Sequence, residues 1–205
     1  PSDMGYSAVG YALAYLNGVS SLPKRVPTGY AVITAENMND PAVSRFFYSA
    51  DVGQPQPPIK DFTVAFIPGV VDPFYHTMEF GVNDAAKLLG VNVVTQIPKT
   101  WNVSEQTPIL NALAARKDIN ALITAAVDKQ QMVPALEAFS NSGVPVISVD
   151  TFVGDGDYVN GPVKFPLSYI GSDNVEGGRM ACTALAEAIG GKGKVFIQST
   201  NKGVS

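Results

Sequence analysis

The chain has 205 residues, 46% hydrophobic and 16% charged, which supplies core material for one good-sized domain or two small ones and excludes wholesale disorder. A formal charge of -4, with the basic doublets Lys24-Arg25 and Arg116-Lys117 standing apart, argues against a nucleic-acid partner. No run reaches the ~20 apolar residues needed to cross a bilayer as a helix, and the single cysteine, Cys182, can form no internal disulfide.

Residues 6–16 place Val9, Ala12, Leu13 and Leu16 on one helical stripe, and Asn17-Gly18 stops that helix. Residues 29–35 (GYAVITA) are a strand candidate, and 40–48 a short helix with Pro41 near its start. Gln54-Pro55-Gln56-Pro57-Pro58 reads as a stiff extended connector, which sets a boundary between residues 50 and 61.

From residue 62 the pattern becomes regular. The spacing predicts strands at 62–68 (FTVAFIP), 91–97, 119–126 (INALITAA), 145–150 (PVISVD) and 194–199 (KVFIQS). Helices are predicted at 73–89, 104–116, 130–141 and 174–189, the first carrying Met78, Val82, Ala85, Leu88 and Leu89 and stopped by Gly90. Short β-branched strands alternating with amphipathic helices give an α/β fold with an open, mostly parallel sheet flanked by helices. In such a sheet the loops leaving the carboxyl ends of the strands share one edge with the helix N-termini. A site is therefore expected among residues 68–75, 98–104, 125–130, 150–155 and 171–176. Cys182, between Ala181 and Thr183 in an apolar-periodic stretch, is expected to be a buried core thiol.

Asp72 precedes Pro73 and serves either as a helix N-cap or as a ligand group. Phe74 and Tyr75 point about 100° apart on a helix, so both cannot sit centrally in one narrow core stripe. One or both near the crevice can stack on the C–H face of a sugar or on a flat base. His76 is the chain's single histidine and reads as helix surface. Asp150 ends a strand with no helix to cap, and is well placed to accept hydrogen bonds from two vicinal hydroxyls. Asp128 with Gln131, and Asp173 with Glu176, fit capping boxes. Asn174 has no such fixed duty. Gly154-Asp155-Gly156-Asp157 lacks the closing glutamate of a calcium loop and reads as a surface turn. There is no dinucleotide fingerprint, no phosphate loop, no nucleophile elbow and no metal-ligand spacing, so no cofactor, metal or catalytic residue is assigned.

Three segments carry a family resemblance: VAFIPGVVDPFYHTMEFGVNDAAKLLG, INALITAAVDKQQMVPALEAFSNSGVPVISVD and YIGSDNVEGGRMACTALAEAIG. Over residues 62–205 the chain resembles the periplasmic sugar-binding proteins of bacterial ABC-type uptake systems, of the ribose/galactose type. Residues 5–48 resemble the C-terminal end of the same family, although here they come first. That order suggests a circular permutation, an engineered rearrangement, or a joining of parts of a longer protein. By resemblance, residues 1–50 supply the last helix of the first lobe and the return segment, 51–61 a connector, 62–167 the first lobe, and 168–205 the crossover and start of a second, similar lobe. The central piece of that second lobe, with the arginine that commonly clamps the sugar, is expected to be absent, as is the strand before Asp3.

The resemblance implies a periplasmic binding protein type I lobe that binds a small sugar or polyol without turnover and is recognised by membrane permease subunits. It also implies a periplasmic or extracellular-facing location; the start Pro1-Ser2-Asp3 carries no signal segment and says nothing on that point. It places Phe74 and Tyr75 at the stacking positions, Asp72 at the neighbouring polar position, and Asp150 at the hydroxyl-binding carboxylate. Asp128 falls in a ligand-contacting loop and Asn174 near the crossover, while Ala125-Ala126 stand where relatives often carry a polar residue. Three other readings stay open: the sensor domain of a signalling or transcriptional regulator, an enzyme acting on a sugar or nucleoside, and a fragment that holds no ligand. The sensor domains of sugar-responsive repressors share the pattern but follow a helix-turn-helix that this sequence does not show.

Overall fold

The computed structural model describes residues 1–44, 46–48 and 62–198. Six parallel strands form one open sheet in the order β1-β6-β5-β4-β2-β3. In chain order these are β1 (Arg25–Thr28), β2 (Thr63–Ile67), β3 (Asn92–Thr95), β4 (Ala121–Thr124), β5 (Val146–Val149) and β6 (Ser168–Ser172). Helices α1 (Ser2–Leu16), α3 (Pro73–Leu89), α4 (Val103–Ala114) and α5 (Val133–Asn141) cover the sheet, α2 (Pro41–Ser44) is a single turn, and α6 (Asn174–Ala188) follows β6.

Strands β2, β4 and β5 are buried at every residue, which is why their sequences TVAFI, ALIT and VISV run almost unbroken in apolar character instead of alternating. One face packs Val64, Phe66, Ile123 and Ile147 against Met4, Val9 and Leu13 of α1 and Met78, Val82 and Ala85 of α3. The other packs Ala65, Ile67, Leu122 and Val146 against Leu110 and Leu113 of α4 and Leu136 and Phe139 of α5. Each fully buried large apolar side chain contributes roughly 1.5–3 kcal/mol, so both helix layers are bound to the sheet mainly by area removed from water.

Helix α3 begins and ends where its sequence dictates. Asp72 Oδ1 accepts from the Tyr75 N–H at 2.8 Å, Pro73 fills the first helical position, and Gly90 closes the helix in the left-handed conformation (φ 69°). Helix α1 lies unusually close to it. A Cβ on Gly81 would fall 2.0 Å from the Ser2 carbonyl oxygen, and one on Gly5 would fall 2.2 Å from that of Met78. The first helix of the chain therefore packs in the same core as the strands that follow more than forty residues later.

Several sequence expectations change. Residues 29–35 form no strand; Thr34 N–H donates to Asn37 Oδ1 (2.8 Å) and Asn37 Nδ2 to the Val32 carbonyl (2.9 Å), so the segment closes on its own side chains. The strand lies earlier, at Arg25–Thr28, where Pro27 is tolerated because β1 is an edge. Residues 194–198 likewise form no strand, and Phe196 and Ile197 are 87% and 84% exposed; no neighbouring strand among the described residues takes up their backbone hydrogen bonds. Strand β6 is not among the expected strands, and with it the sheet runs to Ser172, beyond residue 167. Cys182 is exposed, not a core thiol, because α6 has no buried residue. Of the expected helix at 40–48 the described residues form a single turn, Pro41–Ser44, and the proline-rich connector lies outside the described residues.

Candidate functional site

Strand β2 has β3 on one side and β4, β5 and β6 on the other, so the chain reverses its direction of winding between β2 and β4. In an open parallel sheet the crevice outside the carboxyl ends at such a reversal is where ligands bind. The exits of β2, β3, β4 and β5 bring residues 68–72, 96–102, 125–132 and 150–153 to that edge.

Asp150 leaves β5 in a three-residue turn closed by the Thr151 N–H to the Val149 carbonyl (2.6 Å). Its φ of 60° is the one positive value at a non-glycine among the described residues, a conformation that costs about 1–2 kcal/mol. The fold holds it there from two directions: its N–H donates to the Ile170 carbonyl (3.1 Å), and Tyr169 Oη donates to its own carbonyl (2.9 Å). The turn aims the carboxylate across β4 towards α3, where Tyr75 Oη donates to Asp150 Oδ2 at 2.7 Å.

The electrostatics follow from this arrangement. Burial pushes the Asp150 carboxyl above its ordinary value, opposed by the hydrogen bond from Tyr75 and reinforced by the nearby Asp72. Burial, with the Asp150 charge, pushes the Tyr75 hydroxyl far above the usual tyrosine range. The Tyr75 hydroxyl is thus held neutral as a hydrogen-bond donor to Asp150.

Aromatic rings line the same rim. Phe74 meets Tyr75 edge-on at 5.1 Å, Tyr48 meets Phe74 edge-on at 5.6 Å, and Trp101 stacks on Tyr75 at 5.9 Å with 28° between the planes. Gly69 makes the stack possible, because a Cβ there would sit 2.0 Å from the Trp101 ring and 2.7 Å from Tyr75 Oη. The Trp101 indole Nε1 is buried without a hydrogen-bond partner among the described residues.

The structure thus gathers Asp72, Phe74, Tyr75 and Asp150 at one place. Phe74 is half-buried, as a stacking ring would be, but Tyr75 is not: at 3% exposure it is packed between Phe74 and the stacked Trp101, and it acts through Asp150. Asp72 commits one oxygen to the α3 cap. Asp128, at the exit of β4, spends its carboxylate on its own turn, accepting from Gln130 N (2.9 Å), Gln131 N (2.8 Å) and Gln131 Nε2 (2.9 Å). Those bonds, the Gln131 N–H foremost, hold its carboxyl below the usual range. Asn174 is exposed at the first position of α6, beyond the Asp173 cap. The turn at 154–157 stays a turn, with Asp157 Oδ1 accepting from Val159 N and Asn160 N. Sequence reading passed over Trp101, Tyr48 and Tyr169. Only Trp101 had a signal, as the chain's single tryptophan inside an expected exit loop.

Residues 64–205 match the family described as the periplasmic binding protein domain. Among curated proteins, the ribose import binding protein RbsB of Bacillus subtilis (strain 168) is 27% identical over 137 residues, which cover 66% of this chain and 42% of that protein. A crystal structure of an ABC transporter solute binding protein from Agrobacterium vitis, bound with alpha-D-tagatopyranose, is 44% identical with a TM-score of 0.67. That match covers 70% of this chain and 49% of the other. An ABC transporter periplasmic solute binding protein from Actinobacillus succinogenes 130z, with bound D-allose, is 25% identical with a TM-score of 0.58, covering 64% and 46%. The chain spans just under half the length of each of these three relatives. Its open parallel sheet flanked by helices is a periplasmic binding protein type I lobe.

Proposed function

The chain belongs to the periplasmic binding protein domain family, and from that premise we propose that its sheet edge binds a small sugar or polyol, without turnover, as part of the solute receptor of an ABC-type importer. The observation that carries this reading is the Tyr75–Asp150 hydrogen bond at the winding reversal, with the half-buried ring of Phe74 beside it. A carboxylate oriented by a tyrosine presents a charge-assisted acceptor to sugar hydroxyls, and an aromatic ring covers the C–H face of a pyranose. Asp72 adds a second acceptor. Asn174 contributes from the exit of β6, and Asp128, its carboxylate bound within its own turn, shapes the exit loop of β4. Specificity comes from pairing: a sugar lacking a matching hydroxyl leaves a desolvated partner unsatisfied at a cost of about 1–3 kcal/mol.

Residues 1–50 supply the last helix of the lobe and the returning strand, a reading supported by the close crossing of α1 on α3 and the pairing of β1 with β6. Residues 168–205 form the crossover and the start of the second lobe, which closes over the sugar. Membrane permease subunits are the partner of the closed form, the compartment is the periplasm, and the protein is a receptor and not an enzyme.

The direct test is a thermal-shift screen of the protein against pentoses, hexoses, inositols and nucleosides. A rise in melting temperature for a narrow set of sugars is expected, D-tagatose among the first to be tried. Stabilisation by nucleosides alone, or by none of these at saturating concentration, would overturn the reading.

A further inference from the structure

Gln106 is fully buried, and among the described residues its carboxamide bonds to backbone groups. Nε2 donates to the Ala125 carbonyl at 2.8 Å and lies within 3.5 Å of the Pro68 carbonyl, while Oε1 accepts from the Val127 N–H at 3.0 Å. Ala125 and Val127 lie just past β4, and Pro68 just past β2. These are the two strands that flank the reversal. One side chain from the first turn of α4 therefore holds the backbone of both exit loops, one leading to Asp72 and Phe74 and the other to Asp128. A carboxamide is suited to this because it donates and accepts from one planar group. An apolar side chain would leave a buried carbonyl and a buried N–H without partners.

We infer that Gln106 is a positioning residue for the sugar site, setting the separation of the β2 and β4 exit loops and hence the width of the crevice. The inference rests on the binding role proposed above for that edge. Gln106 touches no ligand; it acts through the Ala125–Val127 and Pro68 backbone.

The test compares wild type with Gln106→Glu and Gln106→Leu by calorimetric titration with D-tagatose at several pH values, and by amide hydrogen exchange at Val127 without sugar. The carboxyl group introduced by Gln106→Glu can, when protonated, donate to the Ala125 carbonyl as the carboxamide does, whereas the ionised form only repels it. Wild type at each pH corrects for titration of Asp150 itself. The affinity ratio of Gln106→Glu to wild type should approach one at acid pH and fall about tenfold or more as pH rises, while Gln106→Leu should be weaker by that amount throughout. Val127 exchange should accelerate in Gln106→Leu. A Gln106→Glu ratio that does not change with pH, or Val127 exchange as slow in Gln106→Leu as in wild type, would overturn the inference. If wild type binds no sugar, the binding role fails separately, and Val127 exchange in Gln106→Leu still decides whether Gln106 holds the loops. Should Gln106→Leu fail to fold, the pH series on Gln106→Glu carries the decision.

Discussion

The Tyr75 hydroxyl donates to Asp150 Oδ2 over 2.7 Å, tying the first turn of α3 to the end of β5 across the intervening β4. Tyr75→Phe keeps the ring between Phe74 and Trp101 but leaves a buried carboxylate without that donor. Stability at neutral pH should fall by about 1–3 kcal/mol, read from urea unfolding. An unchanged midpoint would mean that the bond contributes nothing in solution.

Asp150 should also give the protein a recognisable pH dependence. Burial raises its carboxyl in the folded state, so the folded protein holds that proton more tightly than the unfolded chain does. The stabilisation is complete below the ordinary aspartate range and is lost as pH rises through the raised folded value. Asp150→Asn fixes a neutral side chain, so its stability relative to wild type should improve as pH rises across that window. Sugar affinity runs the other way: the ionised carboxylate is the stronger acceptor, so wild-type binding should weaken as pH falls through the same window. Parallel trends in stability and affinity would contradict this assignment.

The crossing of α1 on α3 leaves no room for a side chain at Gly81, where a Cβ would approach the Ser2 carbonyl to 2.0 Å. Gly81→Ala must push two helix backbones apart and should cost about 1–3 kcal/mol, despite alanine's better helix propensity. Chemical denaturation measures this, and a stabilised variant would mean that α1 does not dock there.

Trp101 offers a built-in optical probe. It is the chain's single tryptophan, and its ring lies on Tyr75 at the rim. Binding of D-tagatose should shift or quench its emission. Gly69→Ala, whose new methyl would fall 2.0 Å from the ring, should alter the emission before any sugar is added. Emission indifferent to both would place Trp101 away from the site in solution.

Much of this architecture was readable from sequence because local and global preferences agree. Helix α3 runs from Pro73 to Leu89 as expected, since Asp72-Pro73 starts it and Gly90 stops it, and β2, β4 and β5 announce themselves as apolar runs buried on both faces. Where the decision was tertiary, sequence was silent or misled. GYAVITA has strand composition, but Asn37 folds it onto itself, while RVPT pairs with β6 despite its proline. At the site, the 100° offset between Phe74 and Tyr75 required one ring to differ from the other, but only the position of Asp150 decides that Tyr75 turns inward. Gln106 reads as an ordinary polar helix residue until the exits of β2 and β4 are brought against it.

The measurement that bears most directly on the account is calorimetric titration of D-tagatose into the wild-type protein and into Asp150→Ala. Loss of one buried acceptor facing sugar hydroxyls predicts an affinity about tenfold or more below wild type, with the variant still folded by circular dichroism. Equal affinity in the two proteins would remove Asp150 from the site and, with it, the claim that the edge between β2 and β5 grips a sugar.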